Sequence, residues 1–177
     1  FVVLVVTNLV LAASMWIGTH RTHRDGIGPW IAGLVLQAAS FAAFALRGDT
    51  PHPAIAIASN ALLAAAIACA AWAFASFRPL RLPPAAPLAY LATMIAVTAA
   101  TLDVPAARMF FGSLVLATGM GTVAALAAKP LHDVTASTRG LIVGSYVIGA
   151  LALLARAVGV LVDAEAVGAH ASIFLTA

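Results

Sequence analysis

Apolar positions along the chain come in long blocks, and polar residues gather in the short stretches between them. At about 1.5 Å of rise per residue, a block of roughly twenty apolar residues crosses the about 30 Å of bilayer hydrocarbon, so the pattern predicts membrane-spanning helices. The blocks run from Phe1 to Gly18, Trp30 to Leu46, Ala54 to Phe77, Pro84 to Leu102, Ala106 to Ala128 and Leu141 to Val162. The second and third form a hairpin, with HRTHRDGIGP before it, the turn RGDTPHP inside it and FRPLRLPP after it. Pro83, Pro84 and Pro87 open the fourth block, where a missing N–H costs least. Ala166 to Ala177 is apolar but reaches only about 18 Å as a helix, so it is expected to begin a seventh span. The predicted fold is all-α: one integral membrane bundle over residues 1–177, with six complete transmembrane helices plus the start of a seventh.

Composition sharpens this picture. The chain is 63% hydrophobic and 8% charged, whereas a soluble domain carries about a quarter of its residues as charges. The lipid bilayer is therefore the first expected partner, and no soluble domain of useful size fits between the blocks. The single cysteine, Cys69, lies inside an apolar block, which excludes a disulfide framework.

Charge gives orientation. Alternating seven spans places Arg21, Arg24, Arg78, Arg81, Lys129 and Arg139 on one side, against Arg47, Arg108 and Arg156 on or near the other. Acids divide the opposite way, with Asp25 and Asp133 facing Asp49, Asp103, Asp163 and Glu165. The positive-inside rule then puts the amino end outside and, beyond a completed seventh helix, the carboxyl end in the cytoplasm. The high isoelectric point, near 9.8, is thus a matter of membrane topology, and no nucleic-acid partner is expected.

Polar groups inside hydrocarbon need a partner or a ligand. Asn60 lies about two turns below the outer end of the third span, Arg156 lies at similar depth in the sixth, and Arg108 opens the fifth from the same side. With Asp103, Asp49 and His52 in the outer loops, they can converge on a cavity for an anionic ligand, since a guanidinium fork suits a carboxylate. Equally, the arginines can pair with Asp103, Asp163 or Glu165, and Asn60 can bond to a neighbouring helix. Gln37, the deepest amide of the hairpin, is expected to bond to a neighbouring helix, with a ligand as the alternative, and Tyr146 needs a partner for its hydroxyl inside the sixth span. Trp16, Trp30 and Trp72 lie towards the cytoplasmic ends of their blocks and are expected to form an interfacial aromatic belt.

Other chemistry finds little footing. His20, His23, His132 and Asp133, or His52 and His170 with Asp49 and Glu165, could gather a metal only if separate loops met; none is expected, and no cofactor is implied. No span pair offers histidines at matching depth for a haem. GMG at Gly119 to Gly121 follows no strand, so it reads as close helix contact rather than a phosphate loop. Gly140 and Gly144 give a helix-packing spacing. No catalytic site is expected, so the chain is not read as an enzyme.

The segment PWIAGLVLQAASFAAFALRGDTPHPAIAIASNALLAAAIACAAWAFASFRPL resembles the amino-terminal membrane region of bacterial diguanylate cyclases, the GGDEF-domain proteins. There a span ends in an LRG turn, as at Arg47 and Gly48, and the next carries an Asn soon after its start, as at Asn60; Arg156 of LLARAV also falls in the pattern. No GGDEF domain lies in these residues. What the resemblance implies is a sensory input module of the bacterial inner membrane, acting as a homodimer. It would bind a small anionic or hydrophobic ligand from the periplasm or bilayer and drive a cytoplasmic output domain through the last helix. A small transporter or channel is the alternative, although no internal repeat and no charge at mid-span support it. A retinal protein would need a Schiff-base lysine, and Lys129, the only lysine, lies in a loop.

Overall fold

The computed structural model describes residues 1–19, 26–46, 52–77, 80, 82–129 and 135–175, with the side chains of 163–175 outside the description. Among these residues every regular element is an α-helix. They are α1 (Val2–Thr19), α2 (Ile27–Ala45), α3 (Pro53–Ser76), α4 (Ala85–Ala100), α5 (Pro105–Ala128) and α6 (Ala136–Leu175).

Local chemistry fixes where the helices begin. Pro53 and Pro105 occupy first-turn positions of α3 and α5, where no N–H is needed. His52 caps α3, its Nδ1 accepting from the Ala54 amide at 3.3 Å. Thr135 caps α6 in the same way, accepting from the Thr138 amide at 3.2 Å. Gly26 precedes α2 with φ 97°, a left-handed conformation that favours glycine.

Five helical segments are long and apolar enough to cross a membrane: α1, α2, α3, α5 and Ala136–Val162 of α6. The chain thus has the helix content of a membrane protein. Two expectations need correction. The fourth span shrinks to the 16 residues of α4, about 24 Å, because prolines delay its start and Thr101 closes it ahead of Asp103 and Pro105. The seventh helix is also not separate, since α6 runs unbroken for 40 residues through Asp163 and Glu165 to Leu175. Two acids and Gly168 do not stop it because nothing in that stretch removes a backbone donor as proline would. At about 60 Å, α6 is roughly twice the hydrocarbon thickness.

The bundle is built around α3, which packs on α2, α4 and α5; α1 adds to α2, and α6 to α5. The core joins Ala64, Ile67 and Phe74 of α3 to Met94 of α4 and Leu116 and Val123 of α5. Trp30 is part of it. Its ring meets Phe74 edge-on at 5.1 Å, and Phe74 meets Tyr146 edge-on at 6.3 Å. Of the three tryptophans expected at the interface, Trp16 and Trp72 are exposed, whereas Trp30 is taken up in packing.

Several serine and threonine hydroxyls are satisfied within their own helix. Ser14, Thr93, Thr122 and Ser145 each donate to the carbonyl four residues back. Polar bonds also tie helices together: Ser40 Oγ donates to the Ser59 carbonyl at 2.8 Å, and Asn60 Nδ2 donates to Thr98 Oγ1 at 3.3 Å. Glycine permits the closest approaches. A Cβ at Gly33 would lie 3.2 Å from the Ala66 carbonyl oxygen, whereas Gly140 and Gly144 meet nothing within 4 Å. The expected packing role of that pair is not used within this chain.

Candidate functional site

Three of the six candidate residues meet. Asn60 from α3, Arg108 from α5 and Arg156 from α6 line one cavity of about 360 Å³, in the size range of ligand pockets. Antiparallel neighbours explain the convergence: the start of α3, the start of α5 and the later part of α6 lie at the same end of the bundle.

The two arginines are held differently. Arg108 is half-buried and donates from Nη1 to the Leu102 carbonyl at 3.1 Å, which ties the α4–α5 turn to the cavity rim. Arg156 is exposed and makes no hydrogen bond or ion pair among the described side chains. Asp103 is exposed and is not a wall of the cavity, so it neutralises neither arginine; Asp163 and Glu165 lie outside the described side chains. Asn60 is 9% exposed and its amide is engaged by Thr98, so helix pairing and cavity lining coexist in one residue.

Part of the wall is aromatic, and sequence reasoning missed it. Phe1, Phe41 and Phe44 line the cavity, with Phe1 6.4 Å from Phe41 and 6.3 Å from Phe44 between ring centroids. A signal was available, because Phe41 and Phe44 are three residues apart and so share a face of α2. Two guanidinium groups sharing a cavity with phenyl rings can hold an anion that carries an apolar body.

Gln37 and Tyr146 belong elsewhere. They line a smaller cavity of about 70 Å³ between α2, α3, α5 and α6, and neither side chain makes a hydrogen bond among the described residues. The expectation that Gln37 bonds to a neighbouring helix is not met: it faces this cavity instead. His52 lines none of these cavities and serves as the α3 cap. Asp49, His20, His23, His132 and Asp133 lie outside the described residues, among which no cluster of three potential metal ligands occurs.

The cavities are strung along α3. Leu63 lines both the arginine cavity and the Gln37 cavity, and Ile67, one turn on, lines both the latter and a third beside Tyr90.

Against this geometry, comparison with known proteins adds no relative: no protein family, curated protein or solved structure matches the chain.

Proposed function

We propose that the chain is a membrane-embedded sensory module of the bacterial inner membrane. It binds a small carboxylate with an apolar body in the cavity of Asn60, Arg108 and Arg156. The observation that carries this reading is the meeting of three polar side chains from three helices in one cavity with three phenyl rings. Placing two cations near hydrocarbon is costly, and an anionic ligand offsets that cost. The basic loops put the cavity at the periplasmic end.

Signal passes through α6. It brings Arg156 to the ligand and packs along α5, which brings Arg108, so closing the two guanidinium groups on one carboxylate shifts α6 against α5. Output is a cytoplasmic domain in a homodimer, as in the diguanylate cyclases whose membrane regions the hairpin resembles. With six alternating helices and the basic loops inside, α6 emerges on the outer side, so such an output requires one more crossing.

The test uses the full chain in lipid nanodiscs, titrated with benzoate and phenylacetate. Saturable binding that is lost in the Arg108→Ala/Arg156→Ala double variant supports the site. Equal binding by that variant sinks it. Spin labels on α5 and α6 then report the shift, and an unchanged distance on saturation removes the relay.

A transporter is the second reading, favoured by the succession of cavities along α3. Uptake of the same carboxylate into proteoliposomes decides for it, and binding without uptake decides against it.

A further inference from the structure

Tyr90 lies in the second turn of α4 and faces α5 where the sequence places a glycine. A Cβ at Gly119 would stand 2.6 Å from Tyr90 Cζ and 2.9 Å from Ile67 Cγ2. The missing side chain is therefore what admits the phenol between the helices. Its ring is well placed among apolar neighbours, but its hydroxyl is not: Tyr90 Oη is fully buried and has no hydrogen-bond partner among the described residues. Inside hydrocarbon no solvent supplies one, and a buried donor left unmade is among the costlier defects a fold can carry.

The same two residues line a cavity of about 210 Å³ between α3, α4 and α5. Its other walls include Ile67, Ala71, Trp72 and Pro87, all apolar or nearly so, and no charged side chain among the described residues. Thr122 also lines it, but its hydroxyl is committed to the Thr118 carbonyl at 2.9 Å. Pro87 offers no backbone donor. Tyr90 thus forms part of the wall of an apolar enclosure at the end of the bundle opposite the arginines, with its uncommitted hydroxyl closed off against Gly119, so that a turn of the ring is needed to bring Oη to an occupant.

We propose that this cavity is a second binding site, for a neutral fused-ring ketone or quinone drawn from the bilayer, with Tyr90 Oη donating a hydrogen bond to its carbonyl. An ion is disfavoured because nothing in the walls would pair with it. A hydrocarbon fits the walls but leaves the phenol unmade. A carbonyl satisfies it without introducing a donor that would need a partner of its own. Trp72, 43% exposed and four residues from the end of α3, stands at the wall nearest the interface, where a lipid-soluble ring would enter. The site is separate from the arginine cavity, with which it shares no wall residue.

The probe is 2,3-dimethyl-1,4-naphthoquinone, whose blocked ring positions prevent addition to the Cys69 thiol, added to the full chain in nanodiscs while tryptophan fluorescence is followed. Saturable quenching is expected, disappearing in Trp72→Phe and shifting to about five- to tenfold weaker binding in Tyr90→Phe, the scale of one lost hydrogen bond. On the unmodified chain, 2,3-dimethylnaphthalene, the same ring system without carbonyls, is expected to compete at least fivefold less well. Quenching that never saturates overturns the proposal. So does unchanged affinity in Tyr90→Phe. Equal competition by the hydrocarbon overturns it too, and that measurement stands even if the tyrosine variant fails to fold.

Discussion

Asn60 Nδ2 donates to Thr98 Oγ1 at 3.3 Å, joining α3 to α4 behind the wall of the arginine cavity. Both residues are buried, Thr98 completely. Thr98→Val keeps the shape and removes the acceptor. The expected loss is about 0.6–1.7 kcal/mol, the range for hydrogen bonds between membrane helices, read as a lower melting temperature in detergent. A variant as stable as the parent would show that the bond contributes nothing.

The two arginines should separate stability from binding. Arg156 has no partner among the described side chains, so Arg156→Ala should leave stability within about 0.5 kcal/mol while weakening carboxylate binding at least tenfold. Arg108 also holds the Leu102 carbonyl, so Arg108→Ala should cost about 0.5–1.5 kcal/mol in addition. Thermal scans beside equilibrium binding check both. If Arg156→Ala aggregates on extraction, its role is structural.

Gly26 is buried at φ 97°, and a Cβ there would meet the Ala73 carbonyl oxygen at 2.8 Å and the Phe77 ring at 3.1 Å. Gly26→Ala therefore combines backbone strain with a collision and should cost about 1–3 kcal/mol. Gly28, two residues on, has nothing within 4 Å of such an atom. Gly28→Ala is the control, expected to be neutral or slightly stabilising.

Tyr90→Phe removes a hydroxyl that makes no bond. Without ligand the variant should be more stable than the parent, by up to about 1 kcal/mol, because no partner is orphaned by the change. A fall in melting temperature would mean that the hydroxyl is bonded in the membrane.

Block lengths made the helices legible. Hydrophobic runs and their flanking prolines place α1, α2, α3 and α5 within a few residues, and depth along the spans was enough to bring Asn60, Arg108 and Arg156 together. The end of the sixth span was not legible. Asp163 and Glu165 look like an interface, yet a helix can carry charges past the bilayer, and only a lost backbone bond would break it. Gln37 and Tyr146 were marked correctly as polar groups in spans, but which helix faces which cannot be read from depth. Phe41 and Phe44 carried a signal in their shared helix face, but Tyr90 was hidden because an aromatic residue in an apolar run looks like every other. It was its neighbour across the helix interface, Gly119, that set it apart.

Leu63 and Ile67 sit one turn apart on α3, each a wall shared by two adjoining cavities. A rotation of α3 that widens one chamber must reshape the next. Occupants of different chambers are then thermodynamically linked: whatever factor the first applies to the affinity of the second, the second returns to the first.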